Sequence, residues 1–325
     1  MKKLNIFMIF IIFFSVYSYI NGDNNNKKIQ IELFGGYSGL NPTHLNLWPD
    51  YQEGRDNFYT IEKNEYYHIM NGDYFTYEGN ITGNYKKIKS GMPFGARVKY
   101  FLNPSFAISL GFKYFNKKQT SLVESDYSFN SYYNGEYSQN DISDPLYIYS
   151  EGFTPMAGAH YIILKNSMFE AEGFLNVGIM FASCGMTYDN YSKSTYDSGY
   201  IREYETILQY TGEGSGFAAE AGLRTNIKLS GSLGIFAEGG YSFQKVSNIT
   251  GDGSYKYAEK DSNSDGYSEG WSWTGKWKVS EYRADREWGS WNYSYYFPGN
   301  ENENARDFIL DLSGFFLRIG ISLKL

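Results

Sequence analysis

The sequence predicts an all-β protein: a closed antiparallel up-and-down transmembrane β-barrel of about eight strands, or ten if one further hairpin joins the wall, with long extracellular hairpin loops. Three observations predict it. Apolar and polar residues alternate with period two along eight separate runs. The connections between those runs are by turns very short and very long. After the N-terminal segment no apolar stretch approaches the roughly 20 residues that a membrane helix needs, so a chain that enters a bilayer must close into a barrel.

Composition agrees. Of 325 residues 42% are hydrophobic, yet mean hydropathy is -0.48, because polar residues are interleaved with the apolar ones. Tyr (33), Phe (24) and Gly (35) are abundant and Pro (7) is scarce, which favours strands and a curved sheet. A net charge of -7 argues against a nucleic-acid partner, which usually demands a basic patch. With Cys184 as the single cysteine, no intrachain disulfide or cysteine-rich zinc site can form.

The N-terminus supplies the compartment. Lys2 and Lys3 precede an apolar run from Leu4 to Ile20, and a polar stretch follows from Gly22 to Asn26. This pattern predicts a Sec signal peptide over residues 1–22, with cleavage after Gly22 or Ser18, and a barrel domain over 23–325.

The first run sets Ile29, Ile31, Leu33 and Tyr37 against Gln30, Glu32 and Ser38. The second places Phe94, Ala96, Val98, Tyr100 and Leu102 opposite Arg97 and Lys99. After a turn at Asn103-Pro104, the third carries Phe106, Ile108, Leu110, Phe112 and Tyr114 opposite Ser109, Gly111 and Lys113. The fourth, about Phe153 to Leu164, turns at Lys165-Asn166-Ser167 into the fifth. There Phe169, Ala171, Gly173, Leu175, Val177, Ile179 and Phe181 oppose Glu170, Glu172 and Asn176. The sixth sets Phe217, Ala219, Ala221, Leu223 and Ile227 against Glu220, Arg224, Asn226 and Lys228. Ser230-Gly231-Ser232 leads to the seventh, with Leu233, Ile235, Ala237, Tyr241 and Phe243 opposite Glu238, Ser242 and Gln244. The last carries Phe315, Leu317, Ile319, Ile321, Leu323 and Leu325 opposite Arg318, Ser322 and Lys324.

Short turns follow the second, fourth and sixth runs, and long excursions follow the others. Outer-membrane barrels show that asymmetry between periplasmic turns and extracellular loops. Charge is absent from the apolar faces, where it would cost roughly 2–4 kcal/mol at mid-bilayer. Within the long loops, alternating residues around Asn71-Gly72 and Asn134-Gly135 predict hairpins that extend the wall above the membrane.

The closing residues, from Asp311 through Gly314-Phe315-Phe316-Leu317-Arg318-Ile319-Gly320-Ile321-Ser322-Leu323-Lys324-Leu325, resemble the terminal strand of small outer-membrane barrels of the OmpA/OmpX/OmpW-like class. The resemblance implies recognition by the barrel-assembly machinery through Arg318, Gly320, Leu323 and Leu325; Leu325 stands where the family pattern usually has Phe. It also implies a bacterial outer-membrane location, contact with outer-membrane lipid and a monomeric state.

Candidate chemistry is sparse. The inward faces collect a charge network of Glu32, Arg97, Lys99, Lys113, Glu170, Glu172, Glu220, Arg224, Lys228, Glu238 and Arg318. Such charges should pair, because an unpaired buried charge is costly. About eight strands leave a lumen just filled by side chains, so a polar plug is expected rather than an open pore. Asp261, Asn263 and Asp265 have the spacing of a calcium loop, but Ser272 stands where the bidentate Glu belongs. Trp271, Trp273, Trp277, Trp288 and Trp291 cluster in one long loop and are candidate surface-binding residues for sugars or a protein. His160, on a wall strand, lacks a recognisable nucleophile or carboxylate partner, so no catalytic set and no cofactor is predicted. The function expected is a non-enzymatic surface protein with an extracellular ligand. The alternatives are an outer-membrane channel for small solutes and, more weakly, a barrel-borne lipid or peptide hydrolase.

Overall fold

The computed structural model describes residues 28–40, 42, 44–46, 75–131, 137–230, 232–264, 266–286, 289–298 and 306–325. The predicted signal peptide, both Asn-Gly turns, Asp265 and Trp288 lie outside the described residues.

Eight strands form a ring in which each pairs antiparallel with two neighbours. They are β1 (Ile29–Gly39), β4 (Phe94–Asn103), β5 (Phe106–Ser131), β6 (Tyr137–Lys165), β7 (Phe169–Tyr196), β8 (Ile201–Lys228), β9 (Leu233–Asp261) and β14 (Gly314–Lys324). Consecutive members of that order are hydrogen-bonded, and β14 returns to β1 through a register that runs from Gln30 opposite Lys324 to Ser38 opposite Phe316. Six shorter or peripheral strands join beyond one end: β2 (Phe75–Gly83), β3 (Ser90–Gly91), β10 (Tyr267–Arg286), β11 (Gly289–Pro298), β12 (Arg306–Asp307) and β13 (Leu310–Asp311). The ten-strand alternative is not what forms. β10 pairs with the upper part of β9, whereas the lower part of β9 pairs with β14.

The three short turns share one end of the ring, and side chains close them. Asn103 Oδ1 accepts from the backbone N–H groups of Ser105 and Phe106 at 2.9 and 2.8 Å. Asn166 Oδ1 does the same for Met168 and Phe169 at 2.9 and 2.7 Å, and Ser230 Oγ accepts from Leu233 at 3.1 Å. These are Asx and Ser turns, in which a side chain takes the place of a backbone acceptor.

Polarity reverses along the strands. Toward the short-turn end the outward side chains are apolar and exposed, with Leu110 at 65% and Ile319 at 68%, while inward Glu32 and Lys99 are fully buried. Farther along, the same faces exchange character. On β5 the outward row reads Phe106, Ile108, Leu110, Phe112, Tyr114, then Asn116, Lys118 and Thr120. Its inward row reads Ser109, Gly111, Lys113, then Phe115, and farther on Val123. The switch takes two residues. On β7 the outward row likewise passes from Phe181 to Ser183, while the inward row passes from Asn176 to Met180, Ala182, Cys184 and Met186.

Aromatic rings mark the upper rim of the apolar belt. Phe94, Tyr114, Phe153 and Phe181 stand in one cross-strand row. Ring contacts continue the belt at Phe94–Tyr114 (5.2 Å), Phe217–Phe243 (6.2 Å) and Tyr241–Phe315 (5.2 Å).

Above this level the ring is filled by an apolar core. Wall residues Phe115, Leu146, Ile148, Met180, Met186 and Tyr210 surround Leu45, Ile88, Trp277, Val279, Phe308 and Leu310, which enter from the connecting segments. Asn46 ties two of those segments together: its Nδ2 donates to Ile88 O and its Oδ1 accepts from Ile88 N, both at 2.9 Å. His44 Nδ1 accepts from Ile309 N at 2.8 Å. Trp277 packs edge-on against Phe308 (5.1 Å) and Tyr210 (6.1 Å), and only Gly at position 212 leaves room for its ring. Replacing Trp277 by Ala should therefore cost about 3–5 kcal/mol of stability, measured as a lowered urea midpoint, with the short-turn end of the ring keeping its amide-exchange protection.

Candidate functional site

The charged residues converge inside the ring at the level of the apolar belt. Strand register sets the pattern by placing opposite charges side by side: Glu32 opposite Arg97, Glu172 opposite Arg224, Arg224 opposite Glu238, and Glu238 opposite Arg318. Contacts across the interior then join facing walls. Arg97 binds Glu32 at 2.6 Å on the neighbouring strand and Glu238 at 2.7 Å across the ring. Arg224 reaches Glu32 at 2.6 Å, Lys113 reaches Glu220 at 2.5 Å, and Lys99 pairs with Glu172 and, at 3.3 Å, with Glu32. Arg318 bridges Glu220 and Glu238, at 3.0 and 3.2 Å through Nη1.

All nine of these side chains, four carboxylates and five cations, are buried. Aromatic rings cover the guanidinium faces. Arg224 lies 3.6 Å from the Phe236 centroid, Arg318 lies 4.0 Å from Phe316, and Arg97 sits between Phe34 and Phe174 at 5.6 and 5.7 Å. Arginine suits this site because its planar cation can stack and pair at once.

Two residues expected in the network stand apart. Glu170 meets half-exposed Lys165 at 3.7 Å, and Lys228 Nζ donates to Asn166 O at 2.9 Å. Both sit at the short-turn end of their strands, where their side chains reach the rim instead of the centre.

His160 has partners that its sequence context did not reveal. Its Nε2 lies 2.9 Å from Ser109 Oγ and its Nδ1 lies 3.2 Å from Glu172 Oε1. Register explains the array: His160 stands opposite Ala107 and Phe174, so Ser109 and Glu172 are its diagonal neighbours on the same face. The order hydroxyl, imidazole, carboxylate is that of an acyl-transfer relay. Here all three are buried, Glu172 is also held by Lys99, and Phe101, Ala107 and Ile162 pack together toward the short-turn end. The array ties three strands together and leaves no face of the hydroxyl open to a substrate.

The tryptophans divide by depth. Trp277 belongs to the upper core and is withdrawn from the surface, and Trp273 packs partly buried against it. Trp271 is 54% exposed and stacks on Tyr255 at 4.2 Å. Trp291 lies on β11 opposite Ala284.

Asp261 Oδ1 accepts from Asn263 N at 2.7 Å, so this carboxylate closes the β9–β10 turn; among the described residues no three acidic, His or Cys side chains converge as a metal site. Of the predicted assembly-signal residues, Arg318 and Gly320 face the interior, Leu323 faces outward, and Leu325 N donates to Ile29 O at 2.8 Å. Burial pushes the Cys184 thiol up to about 12, which keeps it protonated and unreactive.

Removing one anion takes a partner from three cations at once, leaving Arg97 with Glu238 and Lys99 and Arg224 with Glu172. The variant Glu32→Gln keeps side-chain volume but withdraws the common partner of Arg97, Lys99 and Arg224, and should destabilise the folded ring by about 3–5 kcal/mol. Denaturant titration in detergent micelles measures this, and Glu170→Gln at the rim serves as the near-neutral comparison.

No known protein family and no curated protein sequence matches the chain. Among solved structures, it is similar to the outer membrane protease OmpT from Escherichia coli, at 9% identity over 94% of this chain and 99% of that one, with a TM-score of 0.27. It is also similar to the translocator domain of the autotransporter NalP from Neisseria meningitidis, at 10% identity over 98% and 95% of the two chains, with a TM-score of 0.18.

Proposed function

We propose that the chain is a bacterial outer-membrane β-barrel protein of the small eight-stranded class, exported by its N-terminal segment and inserted as a monomer by the barrel-assembly machinery. One observation carries the reading: an exposed apolar belt encircles the ring at the level where its interior is ionic. In water such a belt far exceeds the few hundred Å² of contiguous apolar surface that soluble monomers tolerate. In hydrocarbon it is the stable arrangement. The belt on β7 runs from Phe169 to Phe181, about 40 Å along the strand at 3.3 Å per residue. At a tilt near 45° this gives a layer about 28 Å thick, which matches a bilayer core.

The role that fits the interior is non-enzymatic. The ring is occupied by paired charges at belt level and by an apolar core above them, which supports a closed support for surface loops over a solute channel. The buried Ser109–His160–Glu172 array is accounted for by strand cohesion.

Two measurements test this reading. Placing Arg at Leu175, in the middle of the belt, should weaken insertion into lipid vesicles by about 2–4 kcal/mol, whereas Thr187→Arg, outward but above the belt, should leave it unchanged. A chain lacking residues 1–22 that stays monomeric in buffer without detergent would overturn the proposal. In planar bilayers the folded protein should show no stepwise conductance above the lipid baseline, and steady ion currents would instead establish a channel.

A further inference from the structure

Beyond the apolar core, β8, β9 and β10 continue outward as one end of a sheet that β7 and β6 extend on the other side. Its inward face is the continuation of the row carrying buried Tyr210 and Trp273, whose rings meet at 5.8 Å. One step farther out, Tyr255 and Trp271 stack across β9 and β10 at 4.2 Å. Beyond them stand Tyr257, 6.2 Å from Tyr204 and 6.4 Å from Tyr267. The rings are unequally covered. Trp271 is 54% and Tyr267 57% exposed, and among the described residues no strand pairs with the other edge of β10 over 267–276.

Carboxylates and one guanidinium are interleaved with these rings. Tyr257 Oη donates to Glu259 Oε2 at 2.7 Å and Tyr267 Oη donates to Glu269 Oε2 at 2.8 Å. Arg202 Nε donates to Glu259 Oε1 at 2.6 Å while its guanidinium lies 4.8 Å from the Tyr204 centroid. Hydrogen bonding to Tyr257 and Arg202 holds the Glu259 carboxyl below its ordinary range, so it remains an acceptor.

The geometry points to a carbohydrate-binding face: Trp271, Tyr255 and Tyr267 supply stacking surfaces, and Glu259, Glu269 and Arg202 bind hydroxyls beside them. Cross-strand pairing alone would account for the Trp271–Tyr255 stack. It does not account for the exposure of Trp271 or for oriented carboxylates beside exposed rings. The negative face of an aromatic ring attracts the partially positive C–H groups of a pyranose, and hydroxyls donate to carboxylates through charge-assisted bonds. An acidic face excludes sulfated or phosphorylated chains. Tyr267 and Trp271, four residues apart on one face, span about 13 Å, so the ligand is an uncharged oligosaccharide with flat, equatorially linked rings. This inference does not depend on where the ring resides.

Full-length protein folded in detergent micelles should bind cellohexaose or chitohexaose in calorimetry, with a change in tryptophan fluorescence. It should bind neither heparin nor α-linked dextran comparably. Trp271→Ala should weaken binding about tenfold or more, and Tyr191→Ala, an exposed ring on the other face, should not. If Trp271→Ala perturbs the hairpin by near-UV circular dichroism, Glu269→Gln carries the test, since it leaves the stack intact and should weaken binding severalfold. Failure of both hexasaccharides to bind, preference for heparin, or affinity unchanged in Trp271→Ala and Glu269→Gln would each overturn the assignment. Vesicle insertion is measured separately, so failure here leaves the membrane reading standing.

Discussion

Four carboxylates and five cations withdrawn from water into one ring impose the strongest constraint on this molecule. Each ion alone would cost several kcal/mol to bury, so the arrangement persists only because every one has an opposite charge within reach. Strand register supplies the first partner, as with Glu32 beside Arg97 and Glu238 beside Arg318. Contacts across the ring supply the second, as with Arg97 to Glu238 and Lys113 to Glu220. These transverse bonds hold opposite walls at a fixed separation, which no backbone hydrogen bond can do. The phenyl rings of Phe34, Phe236 and Phe316 occupy the space that remains and stack on the guanidinium groups.

The exterior follows from the same constraint. With charge confined inward, alternate positions on each strand are free to be apolar throughout the belt. Where the interior changes to Phe115, Met180 and Val246, the exterior changes to Asn116, Ser183 and Lys245. Two opposite patterns of polarity are therefore encoded on one set of continuous strands. A lower segment is apolar outside and ionic within, and an upper segment is polar outside around an ordinary hydrophobic core.

Much of the ring was legible in the sequence. Period-two alternation located all eight wall strands, and short turns with Asn103, Asn166 and Ser230 marked one end. Such signals are local, and local signals survive without a partner. The upper extent of the strands was less clear, because beyond Tyr114 and Phe153 the alternation changes sign, so a search for apolar outward faces stops there. The network was half legible. Inward polarity identifies Glu170 and Lys228 as readily as Glu172 and Arg224, but only depth along the ring separates rim from centre. The partners of His160 depended on strand register across three strands, which one sequence does not specify. Trp277 and Trp271 illustrate the same gap. They share a face and a residue type, and six positions along β10 separate a core anchor from an exposed ring.

The hydrogen-bonded seam between β1 and β14 joins residues from almost the two ends of the chain, Gln30 opposite Lys324. Every other wall pairing within β4 to β9 is between consecutive strands and can be made in order of synthesis. The last seam cannot, because its two halves lie farthest apart in the sequence and β14 must be present before β1 can pair with it. Until then β1 and β9 each present a bare edge, the kind that templates aggregation. Closing the ring therefore waits on its most distant contact, of the kind that forms slowly, and until it forms those two edges are the ones open to mispairing.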